Sequence, residues 1–370
     1  MRGRFAPSPT GLLHLGNLRT AMASWLQTRT TGGDWLVRME DLDRVTSSVA
    51  HEAKQLADLA ALGMHSEVPV VRQSERFELY YDAIATLRRQ GRIYECYCSR
   101  REIREAAQAP HDDGMQTQDS DAYPGTCREL TAGRLAELRA AGRQPALRVR
   151  SDGERFGIDD LIAGHYEGAA DDVVIQRNDR VPAYNLAVVV DDAAQGITHV
   201  TRGGDLLTSV PRQRLLQELL QLPSPCYAHV PLVVGADGTR LAKRHGAVTL
   251  ADLTEIGIAP QQVSDLLRES LGMTCDTEFR MADLATKKYR PSKEFSALKD
   301  YTPFKEVADS ILNKQILTSL PALELDRSER LVFYPFGAAE GLLLDRANSN
   351  WRSRYLTEKF YVERYFERTK

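Results

Sequence analysis

The chain has 370 residues, 42% of them hydrophobic and 27% charged, and a formal net charge of −3. These values describe a globular chain of two or three domains. They exclude a disulfide framework, since the five cysteines are odd in number, a membrane span, since no apolar run is long enough, and a strong nonspecific nucleic-acid binder, since the excess charge is negative.

The chain starts with basic residues and a strand, not with the apolar core of a signal peptide, so a reducing cytoplasm is the expected setting. The run Arg4-Phe5-Ala6-Pro7-Ser8-Pro9-Thr10-Gly11-Leu12-Leu13-His14-Leu15-Gly16-Asn17 reads as a strand, a turn of small residues with two prolines, and a helix start. Leu18, Ala21, Met22, Trp25 and Leu26 follow at helical spacing. Asn17 is the expected cap. Gly16 admits close approach to the backbone, and the positive end of the helix suits a phosphate chain, with His14 placed to donate to it.

Gly32-Gly33 turns the chain into a strand over 35–39 that ends on Glu40-Asp41. Residues 49–62 and 78–87 read as helices. Between 95 and 170 the pattern changes to cysteines and a polar stretch from His111 to Tyr123 with little periodicity. Val173-Val174-Ile175 and Ala187-Val188-Val189-Val190 are continuous apolar runs, predicted to be strands of a parallel sheet covered on both faces, and 197–202 is another. Tyr184 then precedes a strand, and Glu40, Asp191 and Arg202 lie at carboxyl ends of strands, where open α/β sheets bind ligands.

Composition changes near residue 275. Two lysines, Lys54 and Lys243, precede that point and eight follow it, together with fourteen of the 27 aromatic residues. Tyr355, Phe360, Tyr361 and Tyr365 predict an amphipathic helix over 351–366. The reading divides the chain into 1–94 and 171–275, two halves of a catalytic α/β unit, an insertion over 95–170, and an unassigned segment over 276–370.

Three constellations carry chemistry. Cys96-Tyr97-Cys98 and Tyr123-Pro124-Gly125-Thr126-Cys127 bring three thiols together, suited to one tetrahedral structural zinc. On chemistry alone the fourth ligand stays open, His111 or a water being the usual donor. Cys226 and Cys275 are isolated and read as packing residues. Arg240-Leu241-Ala242-Lys243-Arg244-His245-Gly246 is a basic loop able to neutralise a triphosphate. Arg4, Glu40 and Arg202, with Tyr184 nearby, offer two guanidinium groups for carboxylates and an acid for an ammonium group.

Together these motifs resemble the glutamate-activating branch of the class I aminoacyl-tRNA synthetases. His14-Leu15-Gly16-Asn17 stands for the "HIGH" element, with Asn17 in its last place. Lys243 falls on the second lysine of the "KMSKS" loop, and Arg240 and Ala242 depart from its usual residues. The resemblance covers roughly residues 1–275 and implies a Rossmann-like, doubly wound parallel α/β sheet with a zinc-bearing insertion. It implies zinc held by Cys96, Cys98, Tyr123 and Cys127. It implies glutamate held by Arg4, Ala6, Ser8, Glu40, Tyr184 and Arg202, with Arg19 and Asp41 in support. It implies ATP with Mg²⁺ held by Pro7, Thr10, Gly11, His14, Gly16, Asn17, Lys243 and Arg244, and His14 and Lys243 as the groups acting on the phosphates.

Within that branch the sequence resembles the shortened members, which attach glutamate to queuosine in the anticodon of tRNA(Asp) without needing tRNA for activation. Only 126 residues follow Arg244, too few for a long anticodon-binding region. The Tyr123/Cys127 pair and the step Arg202-Gly203-Gly204-Asp205-Leu206-Leu207 point the same way. The alternatives are a full-length synthetase charging tRNA(Glu), a nucleotidyltransferase of the same fold, and a non-catalytic tRNA-binding homologue. Arg100, Arg101, Arg104, Arg128, Arg134, Arg139 and Arg143 form either an RNA-facing rim on the insertion or a solvated face interleaved with glutamates. A monomer without membrane contact is expected.

Overall fold

A computed structural model describes residues 1–66, 68–99, 101–103, 123–232, 234–235, 248–255, 257–271, 330–333 and 342–345. In chain order the elements are β1 (Arg2–Phe5), α1 (Leu15–Arg29), β2 (Asp34–Met39), α2 (Val49–Ala61), β3 (Val71–Arg72), α3 (Phe77–Arg89), β4 (Ile93–Cys96), α4 (Ala132–Ala140), β5 (Ala146–Val149), β6 (Arg155–Asp160), β7 (Gly164–Ala169) and β8 (Val174–Gln176). There follow α5 (Tyr184–Ala194), β9 (His199–Gly203), α6 (Val210–Leu219), β10 (Cys226–Val230), β11 (Val234–Gly235), α7 (Leu250–Glu255), α8 (Pro260–Ser270), β12 (Arg330–Phe333) and β13 (Leu342–Asp345).

The central sheet has the order β10-β9-β1-β2-β3, and every pairing in it is parallel. Trp35 to Met39 of β2 are all buried, as expected of a strand covered on both faces. Helix α1 lies against β1, β2 and β9 and buries Leu15, Leu18, Ala21, Met22 and Leu26 along one stripe. Its approach to β1 is close: a Cβ on Gly3 would meet the Thr28 hydroxyl at less than contact distance. Ser24 on α1 accepts from the Trp35 indole N–H at 3.1 Å and donates to the Arg4 carbonyl at 2.9 Å, tying helix to sheet from inside.

A second, antiparallel sheet of order β4-β5-β8 and a β6–β7 hairpin interrupt the parallel sheet between β3 and β9. Two expectations are corrected here. Val174–Gln176 is a strand, but of this antiparallel sheet. Ala187-Val188-Val189-Val190 is helical, in the middle of α5. Residues 186–192 are all buried, so no polar face reveals the 3.6-residue period, and packing against α3 and α6 overrides the strand preference of valine. Tyr184 therefore opens a helix, and Asp191 lies within it rather than at a strand end.

The segment after 275 contributes β12, which pairs with β11, and β13, which pairs with β12, in an antiparallel sheet that the sequence reading does not predict. The helix predicted over 351–366, His111, Cys275 and the loop from Arg240 to Gly246 lie outside the described residues. Among the described residues no helix is long and apolar enough to cross a membrane.

Candidate active site

From β1 the sheet continues one way to β2 and β3 and the other way to β9 and β10, so the chain reverses direction across the sheet between β1 and β9. The carboxyl ends of those two strands frame a crevice, the usual ligand position in an open parallel sheet. A cavity of about 680 Å³ sits there. Arg4, Ala6, Pro7, Ser8, Thr10, Gly11, His14, Gly16, Asn17, Glu40, Tyr184 and Arg202 all line it. Lys243 and Arg244 lie outside the described residues, but the chain on either side of their loop reaches the same place. Leu232 lines the cavity, and the Val248 carbonyl accepts from the Leu15 N–H at 2.9 Å.

The turn between β1 and α1 is held from three sides. Its Pro7 carbonyl accepts from the Glu40 N–H, and its Pro9 carbonyl from the Ser48 N–H, each at 2.9 Å. Gln55 on α2 donates to the Ser8 and Gly11 carbonyls at 3.0 and 2.7 Å. The expected helix cap is corrected: α1 begins at Leu15, so His14 is the cap and Asn17 the third helical residue. The two form a reciprocal capping box, in which His14 Nδ1 accepts from the Asn17 N–H at 3.3 Å and Asn17 Oδ1 accepts from the His14 N–H at 3.2 Å. With Nδ1 accepting, the neutral ring carries its proton on Nε2.

Beneath the cavity floor lies a lattice of buried charge. Arg4 Nε donates to Asp192 Oδ1 at 3.2 Å, and Arg38 Nη1 donates to the same oxygen at 2.8 Å. Arg38, wholly buried, also has Glu40 and Asp191 each at 3.7 Å. Asp191 accepts from Gln73, Arg76 and Tyr80 at 2.7–2.8 Å. Burial opposes the charge on Arg38, but Asp192, Asp191 and Glu40 more than offset it and hold its pKa above the ordinary value. Burial likewise opposes the Asp192 carboxylate, and Arg4 and Arg38 overcome it, so Asp192 stays below the usual range. Glu40, with 11% of its side chain exposed, is pushed up to about 7 by burial, against the pull of Arg38 and Arg4.

Arg202 is held differently. Its Nε donates to His229 Nε2 at 3.0 Å, Nη1 to Gln213 Oε1 at 2.8 Å and Nη2 to the Leu206 carbonyl at 3.2 Å. Arg19 and Asp41, expected as supporting groups, serve the scaffold. Arg19 donates to the carbonyls of Pro231 and Ser270, and Asp41 accepts from the Ser74 N–H and hydroxyl.

A second cavity of about 960 Å³ shares Ser8, Glu40 and Tyr184 with the first and runs to Cys96 and Cys98. The Sγ atoms of Cys96, Cys98 and Cys127 lie within 4.8 Å of one another. The Tyr123 hydroxyl is 3.5 Å from Cys96 Sγ and 3.8 Å from Cys98 Sγ, and it accepts from the Cys127 N–H at 2.8 Å. Gly125, at φ +79°, turns the chain so that Tyr123 and Cys127 meet. Three thiols and a phenol converging this closely fit a tetrahedral metal, and the Arg148 guanidinium lies 3.6 Å above the Tyr123 ring. Of the arginines expected on the insertion, Arg128, Arg134, Arg139 and Arg143 pair with Asp172, Glu137, Glu95 and Glu102, and Arg100 and Arg104 lie outside the described residues.

Several groups at this site were not singled out from sequence: Arg38 and Asp192 in the lattice, Gln55 under the turn, and His229, Asp160 and Gln213 behind Arg202. Their one legible signal is a charged or polar residue inside an apolar run, as at Asp191-Asp192 and His229.

Comparison with known proteins bears on the whole unit. Residues 1–300 match the family model described as tRNA synthetases class I (E and Q), catalytic domain. The chain is 56% identical over 271 residues to the glutamyl-Q tRNA(Asp) synthetase of Nocardia farcinica, an alignment covering 73% of this chain and 85% of that protein. It is 50% identical over 272 residues to the protein of the same name from Symbiobacterium thermophilum, covering 70% and 83%. The glutamate-tRNA synthetase structure from Elizabethkingia anophelis superposes with a TM-score of 0.65 at 24% identity, over 87% of this chain and 75% of that one, a likeness of fold. The chain belongs to the glutamyl and glutaminyl group of the class I tRNA synthetases.

Proposed function

We propose that this enzyme activates L-glutamate with ATP, without tRNA, and transfers the glutamyl group to queuosine in the anticodon of tRNA(Asp). The observation that carries the reading is that one cavity is lined both by Arg4, Glu40 and Arg202 and by the start of α1 with His14. Two guanidinium groups suit the two carboxylates of glutamate, and Glu40 suits its ammonium group. Tyr184, Ser8 and the Ala6 backbone complete that subsite. Pro7, Thr10, Gly11, Gly16 and Asn17 would surround the nucleotide, and Lys243 and Arg244, which fall in sequence between Leu232 and Val248, would bind its phosphates. The names of the relatives at 56% and 50% identity support the choice of acceptor.

The chemistry needs no covalent enzyme intermediate. A glutamate carboxylate oxygen attacks the α-phosphorus of ATP, the bond to the β-phosphate oxygen breaks, and pyrophosphate leaves. His14 Nε2–H and the positive end of α1 steady the phosphates, and Lys243 offsets the charge growing on pyrophosphate. A hydroxyl of the queuosine ring then attacks the acyl carbon, and AMP leaves. Catalysis is positioning plus electrostatic stabilisation. Mg²⁺ accompanies ATP and supplies charge neutralisation. Cys96, Cys98, Tyr123 and Cys127 would hold one zinc, which would fasten β4 to the turn at 123–127 within an acceptor-facing insertion over 95–170, between the catalytic halves 1–94 and 171–275 of a doubly wound unit.

The test is pyrophosphate exchange into ATP without tRNA, followed by glutamylation of queuosine-containing tRNA(Asp) and of tRNA(Glu). Glutamate-dependent exchange and labelling of tRNA(Asp) alone are expected. Stable charging of tRNA(Glu) would assign the full-length activity instead, and no exchange with any amino acid would leave a binding protein. Metal analysis is expected to find one zinc per chain, lost in Cys127→Ser.

A further inference from the structure

Behind Arg202 lies a chain of buried polar groups that does not line the cavity. Asp160 closes β6, and its Oδ1 accepts from the backbone N–H groups of Ile162, Ala163 and His229 at 2.8–3.1 Å. Its Oδ2 lies 2.6 Å from His229 Nδ1, with both side chains wholly buried. Arginine has only donors, so His229 Nε2, which accepts from Arg202, is unprotonated and the ring proton sits on Nδ1, facing Asp160. The ring stacks on Tyr227 at 6.0 Å, and Arg202 lies 5.4 Å over that same tyrosine. The charged groups facing His229 are Asp160 from β6, Arg202 from β9 and Asp205 from the turn after β9.

His229, Gln213 and the Leu206 carbonyl take three of the five N–H groups of Arg202, leaving one on each terminal nitrogen. All three acceptors are uncharged. They fix the guanidinium plane without neutralising it, so its charge is kept for an anionic ligand. We propose that His229 is a positioning residue that orients Arg202 toward the substrate carboxylate, with Asp160 selecting its tautomer and so tying the β6–β7 hairpin to the amino-acid subsite. The proposal rests on the reading of Arg202 as a carboxylate ligand.

The test uses the full chain and tRNA-independent pyrophosphate exchange with wild type, His229→Leu and His229→Gln. Loss of one hydrogen bond to a charged group corresponds to a rise of about 30-fold in the KM for glutamate in His229→Leu. The KM for ATP is expected to stay near wild type, and glutamine, which offers both an acceptor and a donor, is expected to restore most of the loss. An unchanged KM for glutamate in a folded His229→Leu, or equal rises for both substrates, would overturn the proposal. Nitrogen-15 NMR of the histidine rings in wild type and Arg202→Leu reads the relay without activity or a core truncation at 229. An Nδ1–H tautomer whose Nε2 signal moves on loss of Arg202 is expected. An Nε2–H tautomer, or no response to Arg202→Leu, would overturn it. Absence of glutamate-dependent exchange in wild type would remove the functional reading, while the NMR result would still judge the relay.

Discussion

The two walls of the cavity hold their arginines by opposite means. On the β1–β2 side, Arg4 shares Asp192 with Arg38, inside a lattice of charges that balance one another. On the β9–β10 side, Arg202 is held by a neutral imidazole, an amide and a carbonyl. A carboxylate partner anchors an arginine at the cost of its field, whereas neutral acceptors anchor it and leave the field intact. The first wall is therefore built for rigidity and the second for attraction. This difference predicts which residue matters to stability and which to substrate.

The largest effect is expected on the first wall. Asp192→Leu leaves Arg4 and Arg38 buried without their shared partner, and an uncompensated buried charge costs about 3–5 kcal/mol, read as a lowered urea midpoint. A loss no larger than that of an ordinary core substitution would erase the contrast. Next, Arg202→Lys removes planar, multiply bonded contact and should raise the KM for glutamate by about 30-fold, against about fivefold for Arg4→Lys, whose charge is already shared. The reverse order would break the comparison.

A smaller effect concerns pH. Burial pushes Glu40 up to about 7, so it is neutral below that value and charged above it. An ammonium group is attracted only to the charged form. The KM for glutamate should fall by about tenfold per unit as pH rises toward 7 and then level, and Glu40→Gln should flatten that limb. A wild-type KM independent of pH between 5.5 and 8, limits chosen at about 1–1.5 units either side of the transition, would refute the role. The smallest effect belongs outside both walls: Arg139→Glu breaks an exposed pair with Glu95 and should change neither the KM for glutamate nor the urea midpoint.

Much of the cavity lining is legible in sequence because its residues sit at motif positions: Arg4 and Ser8 around the proline turn, Glu40 just after an apolar strand, Arg202 near the end of another. The supporting layer was not. His229 reads as one polar residue in a strand, and Asp160, its partner, is 69 positions away, so only the fold joins them. Helix α5 was misread for a related reason, since burial on every side removes the polar face that marks a helical period. The cap of α1 was displaced by three residues because His14, rarely a cap, found in Asn17 a reciprocal partner.

The most direct measurement is a crystal structure with a non-hydrolysable glutamyl-adenylate analogue. Its side-chain carboxylate and acyl oxygen are expected within about 3 Å of guanidinium nitrogens of Arg4 and Arg202, with its ammonium group at Glu40 and its phosphate beside His14. An analogue bound with its glutamyl part away from both arginines would contradict the shared cavity on which the rest depends.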